Sequence, residues 1–258
     1  MVGMEFLSEY MKAYADEYIL IGGNACALHF QKLGTDFRAT ADLDIVLLVE
    51  SENDGFLQCL SKFLDEKKYI GKTFNGSNQG GSAYRFVLPE GKNDDSLPVQ
   101  IELFSKKPNY FDETQSKHLH ITPIETGQGI SNFSAILLDD ELYEYIRGSR
   151  ETVADVTTVN LNCLLGLKSI AWHGNQKLLD DGAEVSNIDV IKHPSDMLRI
   201  ISVLDDGDVE YPAFIFNSLQ ESKVKFADDK IRQSLTSPGS TDFETAIGYI
   251  ENYVKQAQ

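Results

Sequence analysis

The run Tyr18-Ile19-Leu20-Ile21-Gly22-Gly23-Asn24-Ala25, followed by Arg38-Ala39-Thr40-Ala41-Asp42-Leu43-Asp44-Ile45-Val46-Leu47-Leu48-Val49, decides how this chain is read. A short apolar run stopped by two glycines predicts a strand and a tight turn. Asn24 then stands before Ala25, Ala27, Leu28 and Phe30, so a helix follows the turn, with Asn24 as its cap or as a side-chain contact. Leu43 to Val49 is almost continuously aliphatic and β-branched, the pattern of a strand buried on both faces.

This order of elements places chemistry at one end of a sheet. A glycine pair between strand and helix lets backbone N–H groups approach a phosphate chain at the positive end of the helix dipole. The other reading is a turn that happens to use two glycines, since the stretch is neither the dinucleotide fingerprint nor a P-loop with its lysine. Asp42 and Asp44 alternate along the strand, so both side chains take the same face. Two neighbouring carboxylates repel one another unless a cation lies between them, and hard oxygen ligands at this spacing suit Mg²⁺. An isolated D-x-D also occurs at solvated loop ends; here it follows a glycine turn and helix and abuts an apolar strand. The run Val99-Gln100-Ile101-Glu102-Leu103-Phe104 offers a third carboxylate, Glu102, between apolar neighbours where a lone charge is expensive. An outward position shared with Gln100 on a half-exposed strand accounts for it too.

Around this stretch the chain has 258 residues, 42% of them hydrophobic and 24% charged, the composition of a packed globule of one large or two smaller domains. Its 23 basic and 40 acidic residues leave a formal charge of −17. Residues 1–130 carry −7 and residues 131–258 carry −10, so neither half is a basic module. That excludes generic phosphate-tracking nucleic-acid binding and docking on an anionic membrane. The densest basic cluster, Lys62, Lys67, Lys68 and Lys72, reads as a solvated helix face or a local RNA contact. Three scattered cysteines, Cys26, Cys59 and Cys163, form neither a disulfide framework nor a thiolate zinc site. Cys26 and Cys163 fall in helical segments as small core residues. His118-x-His120 lacks a third metal ligand nearby. With Glu5 and Glu9 near the start and no run of about 20 apolar residues, the expectation is a cytoplasmic protein without membrane contact.

Organisation follows from periodicity. Met4 to Asp16 and Asn53 to Lys68 predict helices, and Tyr69 to Phe74, Ser82 to Leu88, Leu97 to Phe104, His118 to Thr122 and Phe133 to Leu138 predict strands. At Asp139-Asp140 the pattern turns helical, with helices over Asp139 to Arg147, Val159 to Lys177, Ser195 to Leu204, Pro212 to Gln220 and Asp242 to Val254. The expected architecture is α/β in the α+β sense, a mixed sheet with flanking helices over residues 1–138 and a helical C-terminal domain over 139–258.

The motif residues resemble the polymerase-β-like nucleotidyltransferases, specifically the AbiEii/MenT-type toxin branch. That family has a strand, a G-G/S turn, a helix, an R-x-S/T-x-D-x-D strand, a later acidic residue and a helical C-terminal domain. The likeness is clear over residues 18–49 and extends to Glu102. Farther on, Leu164-Leu165-Gly166-Leu167-Lys168-Ser169-Ile170-Ala171-Trp172 resembles the family's helix carrying a lysine near the nucleotide phosphates. Lys192-His193-x-x-Asp196-x-x-Arg199 resembles its K-D-x-x-D segment, which adds Asp196 to the nucleotide contacts. Asn24 stands where the family commonly has Ser or Thr, and His173 to Lys177 lacks the arginine usual after the lysine helix. Lys168 also reads as a snorkelling lysine on an apolar helix.

The resemblance implies a Mg²⁺-dependent transferase with its active site in a cleft between the two domains. Asp42 and Asp44 would hold two ions, with Glu102 on the ion that activates the attacking hydroxyl. Gly22, Gly23 and Asn24 would grip the β- and γ-phosphates of an NTP, Arg38 and Thr40 would support the D-x-D turn or the triphosphate, and Lys168 would offset phosphate charge. It further implies transfer of a nucleoside monophosphate to a hydroxyl on tRNA or protein, as a toxin with a cognate antitoxin. Modification of an antibiotic-like small molecule, and a non-catalytic nucleotide- or partner-binding protein with a degenerate site, are the alternatives.

Overall fold

The computed structural model describes residues 10–48, 55–72, 84–89, 91, 97–106, 121–126, 129–182, 187–235 and 242–257. The fold is mixed α/β, a mixed sheet with flanking helices followed by a helical C-terminal part, and it divides into two compact units, Met1–Val159 and Asn160–Gln258.

In the first unit the chain runs β1 (Tyr18–Ile21), α1 (Gly22–Lys32), β2 (Asp42–Leu47), α2 (Gly55–Lys67), β3 (Ile70–Lys72), β4 (Arg85–Val87), β5 (Gln100–Lys106), β6 (Ile121–Thr126), β7 (Gly129–Leu138), α3 (Asp140–Gly148), β8 (Arg150–Val153) and β9 (Val156–Val159). The strands lie in the order β3-β4-β5-β2-β1-β9-β8, while β7 pairs with the end of β5 beyond β4 and β6 pairs with β7. β2 runs parallel to β5 and antiparallel to β1, and β1 runs parallel to β9. The central strands are covered on both faces, as their continuous apolar runs require: Tyr18, Ile19 and Leu20 of β1 and Leu43, Ile45, Val46 and Leu47 of β2 are all buried. α2 contributes Phe56, Leu60, Phe63 and Leu64 to this core, and the Phe56 ring stacks on Tyr18 at 5.2 Å. Its first turn is anchored from outside the helix by buried Glu17, whose Oε2 accepts the Phe56 backbone N–H at 2.9 Å.

The second unit runs α4 (Leu161–Asp180), α5 (Asn187–Ile201), β10 (Val209–Tyr211), α6 (Ala213–Phe226), α7 (Asp229–Ser234), α8 (Phe243–Tyr253) and β11 (Val254–Gln256), with β10 and β11 paired in parallel. Asn160, Asp228 and Asp242 cap α4, α7 and α8 by accepting backbone N–H groups. Trp172, Met197, Leu198, Tyr211, Leu219, Phe226 and Ile250 fill the core. A polar seam joins α4 to α6: Ser169 Oγ lies 2.6 Å from Ser218 Oγ and 2.9 Å from Ser222 Oγ. His173 Nε2 continues it to Ser222 Oγ at 2.9 Å, and Lys225 Nζ donates to His173 Nδ1 at 2.9 Å.

Several expectations need correction. Asn24 does not cap α1: the helix begins at Gly22 with Ile21 as its N-cap, and Asn24 lies buried inside it. The pattern after Asp139 is not helical throughout, because β8 and β9 form a hairpin and the helix placed from Val159 begins at Leu161. The hairpin turn holds Ala154 and Asp155 at φ 48° and 65°, a mirror-image turn without the Asn-Gly or Asp-Gly signature that announces one. The unit boundary falls after Val159 rather than at residue 138, since β9 pairs with β1 and α3 packs on β5. The helix placed from Ser195 starts at Asn187 and carries Pro194 inside it, where a proline reads as a breaker. α7, β10 and β11 are too short for a periodic signal. Of the helix placed at Met4 to Asp16, the described part holds the 3₁₀ turn Lys12–Tyr14; His118 and His120 lie outside the described residues.

Two histidines tie elements together while staying neutral. His29 Nε2 of α1 donates to the Val159 carbonyl at 2.8 Å, and burial holds its pKa below the ordinary 6.5 against the opposing pull of that bond and of Glu151. His173 is likewise held below 6.5 by burial first and by Lys225 next. Each group binds a proton less readily folded than unfolded, so stability falls as pH drops below about 6.5. Urea unfolding between about pH 7 and pH 5 should therefore show a decline that His29→Gln and His173→Gln each make shallower; an unchanged slope in both variants contradicts the assignment.

Candidate functional site

The parallel pairing of β2 with β5 sets Asp42 beside Gln100 and Asp44 beside Glu102. Residues paired in register share a face, and Asp42 and Asp44 share one by alternation, so all three carboxylates rise from one face at one end of the central strands. Leu43, Ile45, Ile101 and Leu103 between them are buried, which holds the register. Asp42 is exposed, Asp44 half-buried, and the Glu102 side chain only 14% exposed. Glu102 sits among half-buried alternate residues of β5, consistent with its alternation with Gln100, yet the adjacent strand makes it a neighbour of Asp44.

The glycine turn closes on the same corner. Ile21 pairs with Asp44, so Gly22 begins α1 directly against that carboxylate. Gly22 has φ +76°, and a Cβ there would collide with Asp44 Oδ2. A Cβ on Gly23 would lie 2.5 Å from Thr40 Oγ1 and 3.5 Å from Arg38 Nη2, so both side chains stand against the turn. Asn24 Nδ2 donates to the Asp42 carbonyl at 2.7 Å, and its fully buried Oδ1 has no hydrogen-bond partner among the described residues. The structure thus brings together Gly22, Gly23, Asn24, Arg38, Thr40, Asp42, Asp44 and Glu102.

Arg85 is the member sequence reading missed. It lies opposite Glu102 on antiparallel β4, with Nε 2.6 Å and Nη2 2.5 Å from Glu102 Oε1. A signal existed: in the strand predicted over Ser82 to Leu88, Arg85 is the one charged residue and stands between Tyr84 and Phe86, so it was available to an outward glutamate on a partner strand. With Glu102 engaged by a guanidinium, no group of three or more His, Cys, Asp or Glu converges to hold a metal among the described residues. The donor chemistry itself suits Mg²⁺: hard carboxylate oxygens rising from one face of paired strands.

Lys168 and Asp196 lie in the second unit and meet each other. Lys168 Nζ of α4 is 2.8 Å from Asp196 Oδ2 of α5, with side chains 6% and 0% exposed. Lys168 is not snorkelling, because the ammonium itself is buried. In this structure the two residues form a buried ion pair between helices. Lys62 pairs with Glu66 at 3.9 Å on the exposed face of α2, as a solvated helix face does. Cys26 and Cys163 are buried core residues.

Two substitutions test these contacts. Asp196→Ala deprives a buried ammonium of its carboxylate and should cost about 3 to 5 kcal/mol in urea unfolding, whereas Lys168→Met with Asp196→Leu should cost far less. Equal losses would show that packing rather than charge holds the helices. Gly22→Ala forces a Cβ into Asp44 at a left-handed φ and should lose more than about 1 kcal/mol by the same measurement; wild-type stability would remove the close approach. Comparison with family models, with curated proteins and with solved structures finds no match to this chain.

Proposed function

We propose that the chain is a Mg²⁺-dependent nucleotidyltransferase that moves a nucleoside monophosphate from an NTP to a hydroxyl acceptor. One observation carries the reading: Asp42, Asp44 and Glu102 stand on one face of paired parallel strands, directly beside the Gly22-Gly23 turn that opens a helix. The three carboxylates would hold the cation. Mg²⁺ bound there would supply neutralisation of the triphosphate and a lowered pKa for a bound hydroxyl. The backbone N–H groups of the first turn of α1 would receive the phosphates, with Arg38 and Thr40 beside Gly23 adding donors. In the reaction the acceptor oxygen forms a bond to the α-phosphorus, the bond from that phosphorus to the bridging oxygen breaks, pyrophosphate leaves and the hydroxyl proton passes to water. The residues contribute by positioning and by electrostatics.

The acceptor in this reading is tRNA or a protein, with a toxin role and a cognate antitoxin. A net charge of −17 makes weak, salt-sensitive holding of an RNA the expectation. The Arg85 pair to Glu102 favours the second reading, a nucleotide- or partner-binding protein without transfer, because it leaves the third carboxylate engaged. No helix among the described residues is long and apolar enough to cross a membrane.

The test is incubation with each α-labelled NTP, Mg²⁺ and separate tRNA, protein and small-molecule pools. Label should pass to one pool and disappear, by at least about a hundredfold, in folded Asp42→Asn with Asp44→Asn. Label retained in that variant would sink the site, and triphosphate binding without transfer to any pool would establish the second reading.

A further inference from the structure

Carboxylates gathered on one face of a sheet repel each other, and the Glu102 side chain is only 14% exposed. In the free chain its charge is answered across the strand pair by Arg85, whose Nε and Nη2 both lie on Oε1. The pair is directly opposed in the antiparallel β4–β5 register, where opposite charges meet at the shortest cross-strand distance. Arg85 is also oriented from behind, since its guanidinium lies 5.7 Å from the centroid of the buried Tyr84 ring. A guanidinium on Oε1 and a divalent cation at the same carboxylate compete, because both draw on its single negative charge.

We propose that Arg85 is a latch on Glu102, holding the third carboxylate away from the metal until a divalent cation displaces it. The inference rests on the nucleotidyltransferase reading, which supplies the cation. Arg85 is a positioning residue here, acting through Glu102. The free chain then binds a divalent cation through Asp42 and Asp44 more weakly than a chain without the latch. The released guanidinium remains tethered to β4, one strand from the carboxylates, and can re-form the pair once the cation leaves.

The test is Mn²⁺ titration of the full chain without nucleotide, read by electron paramagnetic resonance of free Mn²⁺. Arg85→Gln should bind Mn²⁺ about tenfold more tightly than wild type, the factor that corresponds to about 1.4 kcal/mol of competing interaction. Glu102→Gln added to Arg85→Gln should abolish that gain. Arg85→Lys, which keeps the charge but loses the fork, should fall between the two and serves as the variant if Arg85→Gln does not fold. Thermal unfolding gives a second readout: Mn²⁺ should raise the Tm of Arg85→Gln more than that of wild type. Equal or weaker binding by the Arg85 variants, with wild type binding intact, overturns the latch and leaves the functional reading standing. Mn²⁺ bound by neither wild type nor the Arg85 variants overturns both.

Discussion

The parallel pairing of β2 with β5 is the constraint on which the rest of the first unit depends. It joins residues 42–46 to residues 100–104 and places the most apolar part of each strand at the middle of the sheet. A slip of one residue would turn Ile101 and Leu103 out of the core and Glu102 into it, so the cost of burying a charge protects the register. The same register that satisfies the core therefore also delivers the carboxylate to Asp44. The geometry of the site is a by-product of hydrophobic burial, with no separate device needed to assemble it.

Around this pair, backbone freedom and side-chain size do the remaining positioning. β1 pairs with β2 on the side away from β5, so the turn after Ile21 must rise over Asp44. Only a residue without Cβ can do so, and the left-handed φ of Gly22 lets the chain enter a helix immediately. Asn24 then ties that helix back to the Asp42 carbonyl. Strand, turn and helix thus hold the two aspartates from the backbone side.

The second unit shows the other way this chain uses charge. There the polar groups are taken inside and paired: Lys168 with Asp196, and the Ser169, Ser218, Ser222 and His173 seam between α4 and α6. Such networks add little net stability compared with apolar packing, but they penalise any helix rotation that would leave a buried group unpaired. In the first unit a charge on the sheet is instead answered strand to strand, Glu102 by Arg85 opposite it.

What the sequence determined by itself is what neighbouring residues decide among themselves. The apolar run ending at Gly22-Gly23, the alternation of Asp42 and Asp44 against buried Leu43 and Ile45, and the long amphipathic segments of the helical part were legible because periodicity is a property of contiguous residues. Asn24 was misread as a cap because its partner, the Asp42 carbonyl, is remote in the chain, and the β8–β9 hairpin was hidden because Ala154-Asp155 carries no turn signature. Only the tertiary structure decided that Glu102 stands beside Asp44, that Arg85 answers it, and that Lys168 and Asp196 face each other inside the second unit. Those pairings join residues 17 to 58 positions apart, and which distant groups meet is set by how whole strands and helices bury their apolar faces, a balance that no local stretch contains.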